Sequence, residues 1–156
     1  MKKKFALTLV SLASVALLAA CGEVSTTGNS GSASGTEIGK TLKIGFNFEE
    51  TGDVASYGTA EQKGAKLAVD EINKAGGVDG KQIEVTDKDN KSELSEASTV
   101  STNLVTQAKV NAIVGPATSG GTGAAITNAA KASVPLITPS GTQDDLTKGQ
   151  DYLFRA

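Results

Sequence analysis

From Leu42 onward the sequence alternates between two hydrophobic rhythms, and that alternation leaves few folds open. Leu42–Phe48 reads as a strand, and after a polar loop Thr59-Ala60-Glu61-Gln62 has the form of a capping box opening a helix. That helix is expected to carry Gly64, Leu67, Ala68, Ile72 and Ala75 on its apolar stripe and to stop at Gly76-Gly77. A second strand is expected over 81–87, and a second helix from 92–95 with Ala97, Val100, Leu104, Val105 and Ala108 at helical spacing. A short apolar strand over 110–114, a Gly-rich helix from 120 to about 132 and a last apolar strand over 134–138 complete the series. The order β-α-β-α-β-α-β implies right-handed crossovers and an open parallel sheet with helices on both faces.

Open sheets of this kind take ligands at the carboxyl ends of their strands. Three loops leave strands in that direction, and all are rich in small polar residues: 49–59, containing Ser56-Tyr57-Gly58; 115–122, Gly-Pro-Ala-Thr-Ser-Gly-Gly-Thr; and 139–142, Pro-Ser-Gly-Thr. Such a rim presents hydroxyls and backbone N–H groups, and the second loop points a helix start at the site, which favours an anion such as a small carboxylate.

Composition removes most catalytic alternatives. There is no histidine, so a Ser-His-Asp triad and every His-based metal site are excluded, and a single cysteine excludes disulfides and thiolate clusters. Gly115 to Gly120 has the glycine spacing of a phosphate loop, but Gly121 stands where its lysine belongs. The first strand-to-helix turn lacks the GxGxxG pattern of dinucleotide folds. Residues 117–121 resemble a nucleophile elbow without a base, and 87–91 resemble a calcium loop with lysine at a ligand position, which reads better as a solvated turn. The chain is therefore expected to be no enzyme and to need no cofactor or metal.

The N-terminus addresses location. Met1-Lys2-Lys3-Lys4 precedes an apolar run from Phe5 to Ala20, the layout of an export signal, and the run is short for a membrane span. Leu18-Ala19-Ala20-Cys21-Gly22 resembles a bacterial lipobox, in which cleavage after residue 20 leaves Cys21 as a lipidated first residue. Residues 22–40 hold Gly, Ser or Thr at 12 of 19 positions, the composition of a flexible tether. Without Lys2, Lys3 and Lys4, the 15 basic residues facing 17 acidic ones fall to a clear acidic excess, which argues against nucleic acid as a partner. The expected organisation is a signal peptide over 1–20, lipidated Cys21 and linker over 21–40, and an α/β ligand-binding region over 41–156.

Ser56-Tyr57-Gly58, the run 68–77 (Ala-Val-Asp-Glu-Ile-Asn-Lys-Ala-Gly-Gly), Gly115-Pro116-Ala117-Thr118-Ser119 and the run 135–142 together resemble the first lobe of branched-chain amino-acid binding lipoproteins of ABC importers. The resemblance runs from about Leu42 to Arg155 and implies the type I periplasmic-binding fold, whose two lobes close on a ligand and deliver it to a membrane permease. It implies that Ser119 and Thr142 grip the ligand α-carboxylate, that the Ser140 carbonyl accepts from the α-ammonium with Gly141 in the same turn, and that Tyr57 packs on the ligand side chain. Competing structural roles are a helix N-cap for Ser119, a turn position for Thr142 and lid packing for Tyr57. Family members run to more than twice this length, so the chain is expected to hold only the first-lobe portion, with the acid that meets the ligand ammonium in the second lobe. The location implied is the outer face of the bacterial cell membrane, held by the acyl anchor, with permease subunits as partners. A lipid-anchored sensor of the same fold is the alternative.

Overall fold

The computed structural model describes residues 38–156; the expected signal segment, Cys21 and nearly all of the tether lie outside the described residues. Five strands, β1 Leu42–Phe48, β2 Ile83–Asp89, β3 Ala112–Val114, β4 Leu136–Thr138 and β5 Leu153–Arg155, form one sheet in the order β2-β1-β3-β4-β5. Every neighbouring pair is parallel. Three helices alternate with the first four, and β5 follows β4 without one: α1 Ala55–Lys74, α2 Leu94–Asn103, which continues as a π turn over Leu104–Ala108, and α3 Ser119–Lys131. This is the open doubly wound sheet that the two rhythms predict. The strand order reverses at β1, because the chain leaves it for β2 on one side and comes back to β3 on the other.

Strand register sorts the side chains onto two faces. Gly45, Ile113, Leu136 and Leu153 stand in one row across the sheet, and the last three belong to the main core with Val100, Leu104, Val105, Ala125, Ile126 and Ala129 of α2 and α3. Gly45 has a packing reason: a β-carbon there would lie 2.8 Å from Leu104 Cδ1, so α2 sits down on the strand where a side chain is missing. Full burial of a leucine such as Leu104 contributes about 1.5–3 kcal/mol. The expected apolar face of the second helix is confirmed, with Ala97, Val100, Leu104 and Val105 buried and Ala108 packed against the core.

The opposite face carries the row Asp87, Phe46, Val114, Ile137 and Phe154. Phe46 and Phe48 are fully buried and meet edge to face at 5.6 Å between ring centres. Here α1 differs from expectation in start and in facing. It begins at Ala55, and Thr59 is inside the helix, its hydroxyl donating back to the Ala55 carbonyl at 2.6 Å, so the capping box does not form. The expected stripe is turned to solvent: Gly64, Leu67, Ala68, Ile72 and Ala75 are all exposed. The inward stripe is Gly58, Gln62, Ala65, Val69 and Asn73, because polar side chains fasten this helix to β2. Gln62 donates to Asp87 at 2.8 Å, Lys66 pairs with Asp87 at 2.6 Å, and Asn73 exchanges two hydrogen bonds with the Ile83 backbone. Hydrophobic periodicity cannot register an interface of that kind.

Candidate functional site

Because the strand order reverses between β1 and β3, the crevice beyond their carboxyl ends is where a ligand fits this topology. A cavity of about 470 Å³ lies there, lined by Val54, Tyr57 and Glu61 from the start of α1, Ala117, Thr118 and Ser119 from the β3–α3 loop, and Ser140 and Thr142 after β4. The structure thus brings together four of the five ligand-binding residues read from the sequence: Tyr57, Ser119, Ser140 and Thr142. Gly141 is buried in the same turn, its N–H donating to Thr138 Oγ1 at 3.0 Å.

Each loop is held in place by a recognisable device. The β3–α3 loop starts at Gly115, whose φ of +90° and 2.5 Å separation from the Asn47 carbonyl oxygen (measured at a notional β-carbon) leave room for glycine alone, and the Gly115–Pro116 peptide is cis. Thr118 is the N-cap of α3, accepting from the Gly121 N–H at 3.1 Å. That assignment frees Ser119 from the capping role. Ser119 Oγ accepts from the Gln143 N–H at 3.2 Å, which joins two rims of the cavity and leaves its own proton free to donate. Thr138 Oγ1 donates to the Pro116 carbonyl at 2.8 Å and ties the same two loops together from beneath.

Two acids in or beside the cavity carry roles that the sequence reading did not give them. Glu49, the residue after β1, is 1% exposed and accepts from the Ala117 N–H at 3.0 Å, the Thr118 N–H at 3.3 Å and Thr118 Oγ1 at 2.8 Å. It is thus a resident anion just outside the start of α3, and a visiting carboxylate would have to use hydroxyl and N–H groups one residue further in. Glu61 lines the cavity, with its Oε1 in hydrogen-bonding contact with Ser140 Oγ. Burial pushes its carboxyl above the ordinary value; the Ser140 contact works the other way, and the nearby Glu49 charge adds to the rise. An acid directly after an apolar strand was the visible sign for Glu49; for Glu61 the only sign was its position one turn beyond Tyr57.

The 87–91 run, expected to be a solvated turn, is strand as far as Asp89, and that strand end also holds the neighbouring loop. Asp89 accepts from Thr51 Oγ1 at 2.6 Å, from the Lys91 N–H at 2.7 Å, and from the Glu50 and Thr51 N–H groups at 2.9 and 3.2 Å, pinning the 49–54 segment that leads into α1. Burial opposes its ionisation, but these donors outweigh that and hold the carboxyl below its usual range. Among the described residues no cluster of His, Cys, Asp and Glu could hold a metal ion, and no helix is long and apolar enough to cross a membrane.

The doubly wound sheet is that of a type I periplasmic-binding fold, of which the described residues form part. The chain belongs to the periplasmic binding protein family, whose sequence profile matches residues 41–156. A Pseudomonas aeruginosa leucine-, isoleucine-, valine-, threonine- and alanine-binding protein is 36% identical over 126 residues, covering 80% of this chain and 34% of that protein. The crystal structure of the branched-chain amino acid transporter substrate-binding protein LivJ from Streptococcus pneumoniae, in complex with isoleucine, is 76% identical, with a TM-score of 0.73 over 74% of this chain and 33% of that one. A solute-binding protein of an ABC transporter from Rhodopseudomonas palustris, in complex with 3,4-dihydroxybenzoic acid, is 31% identical with a TM-score of 0.69, covering 75% and 32%. The chain spans about a third of the length of the relatives it matches.

Proposed function

We propose that this chain forms one wall of the cleft of an extracytoplasmic, lipid-anchored protein that captures branched-chain or related amino acids, performs no chemistry on them and passes them to an ABC permease. The observation that carries this reading is the convergence of Tyr57, Ser119, Ser140 and Thr142 on one cavity at the switch point of the sheet. Ser119 and Thr142 offer hydroxyls to a carboxylate, the Ser140 carbonyl offers an acceptor to an ammonium, and the exposed ring of Tyr57 offers apolar surface to an aliphatic side chain. The names of the Pseudomonas and pneumococcal relatives support the ligand class, and the Rhodopseudomonas structure marks how far the fold can depart from it.

The test is calorimetric. Residues 41–156 replace the matching segment of the pneumococcal protein, and isoleucine is titrated into the chimera. A hydrogen bond to a charged group contributes about 1.5–3 kcal/mol, so Ser119→Ala or Thr142→Val is expected to weaken binding by roughly 10- to 150-fold. Unchanged affinity in both variants would move the site elsewhere.

The anchor is a separate part of the reading. Two acyl chains on Cys21 hold a protein stably where one is marginal, so Cys21→Ala should shift the protein from the membrane fraction to the soluble or unprocessed pool. Unchanged detergent partitioning would remove the lipobox from the account.

A further inference from the structure

Around Ser140 the hydrogen atoms do not add up with an ionised Glu61. The Ser140 hydroxyl has one proton, yet its oxygen meets two acceptors, Glu61 Oε1 and the Ala117 carbonyl oxygen at 3.1 Å. A carbonyl has no proton to give. A Ser140 hydroxyl turned toward Glu61 favours the ionised acid but leaves the Ala117 carbonyl oxygen facing an oxygen with no proton to give; both contacts are satisfied together only when Glu61 carries the missing hydrogen, donating to Ser140 Oγ, which in turn donates to Ala117. The other carboxyl oxygen, Glu61 Oε2, is buried and meets no donor, a position that costs a charged carboxylate more than a neutral acid. Glu49, three times hydrogen-bonded, lies close enough to repel a second charge. The remaining lining of this cavity offers no cation: Tyr57 is the other titratable group, and the β3–α3 loop and the turn after β4 contribute Ala117, Thr118, Ser119, Ser140 and Thr142. The charged groups near the turn after β4 are Asp144 within it and Arg155 of β5, which donates to the Gly141 and Gln143 carbonyls at 3.4 and 3.1 Å.

We infer that Glu61 is a positioning residue that works as a neutral acid, closing a relay from Glu61 to Ser140 to the Ala117 carbonyl that joins α1 to both loops of the cavity and opens when Glu61 loses its proton. The functional consequence rests on the ligand reading above. With the acid neutral, the wall that would receive a carboxylate bears no charge from Glu61, and the Ser140 turn is held in register with Ser119. With the acid ionised, Ser140 has to choose between two acceptors, and a negative charge appears at the cavity. Binding of an anionic group is then weaker at alkaline than at acidic pH.

Carbon-13 NMR of the full chain, with labelled glutamate side chains, tests the relay. The Glu61 carboxyl, assigned by its loss in Glu61→Gln, is expected to titrate above the ordinary value of 4.5, and the Ser140 and Gly141 amides are expected to shift with the same midpoint. In Glu61→Gln the amide donates to Ser140 at every pH, so those amides should no longer follow pH while the fold persists. Because the folded-state value is raised, the relay's contribution to stability is present below 4.5 and lost as pH rises through the folded midpoint, and Gln should abolish that loss. A Glu61 midpoint at or below 4.5, or an unchanged pH profile in Glu61→Gln, would overturn the relay. Isoleucine added to the chimera described above, which supplies the opposite wall of the cleft, reports separately on the ligand reading. Amides at 119 and 140–142 that ignore isoleucine while Glu61 titrates high would count against that reading and leave the relay standing.

Discussion

Glu49→Ala should remove about 3–5 kcal/mol of stability, a large share of the roughly 5–15 kcal/mol that holds a typical domain together. The side chain is buried and receives three hydrogen bonds, two from backbone N–H groups and one from the N-cap hydroxyl of α3. Each bond to a charged group is worth about 1.5–3 kcal/mol, and truncation leaves the Ala117 N–H buried without an acceptor. The bonds are not additive, since all three donors lie on one loop and relax together. Glu49→Gln should fall between, because it keeps one acceptor oxygen but turns an NH₂ group toward donors. Urea unfolding of the full chain measures both, and a loss under about 1 kcal/mol for the alanine variant would show that the β3–α3 loop is fixed by other contacts.

The second large effect is expected at Gly58, where two opposing terms can be compared. Replacing a helical glycine by alanine ordinarily stabilises by up to about 1 kcal/mol. At Gly58 the added β-carbon would lie 2.3 Å from the Glu49 carbonyl oxygen and 2.7 Å from the Glu49 backbone nitrogen, and neither neighbour is a side chain that can swing away. The helix must lift from the strand end, so Gly58→Ala is expected to cost roughly 3 kcal/mol net and Gly58→Val more. Gly64, six residues on, has nothing within 4 Å of the same atom. Gly64→Ala is therefore the control, expected to be neutral or slightly stabilising. Equal melting temperatures for the two alanine variants would mean that α1 does not press on β1 as described.

The order of elements was readable because strands and helices differ in hydrophobic period, and the second helix was readable residue by residue because its inner face is apolar. The first helix was misjudged for a physical reason. Gln62 and Asn73 are the residues that turn inward, where they bond to Asp87 and to the Ile83 backbone, and the apolar residues that should have marked the inner face point to solvent. Thr59 looked like a cap because a hydroxyl three residues ahead of a glutamine suits one, but the same hydroxyl is equally content bonded one turn back. The three loops of the cavity were legible from their small polar residues. The two acids were not, because what makes them matter is contact across 68 residues for Glu49 and 79 for Glu61, and no local pattern encodes a partner that far away.

The two sides of the cavity rest on foundations of different stiffness. Ser119 rides on α3, which shares the main apolar core with α2 and with β3, β4 and β5, so displacing it means disturbing the packed interior. Tyr57 and Glu61 ride on α1, which is seated through Gly58 and a few polar clasps at β2. In the language of local unfolding, α1 belongs to the weaker cooperative unit, and thermal fluctuation reaches the cavity through that wall first. A ligand touching Tyr57 would then slow amide exchange along α1 far more than along α3.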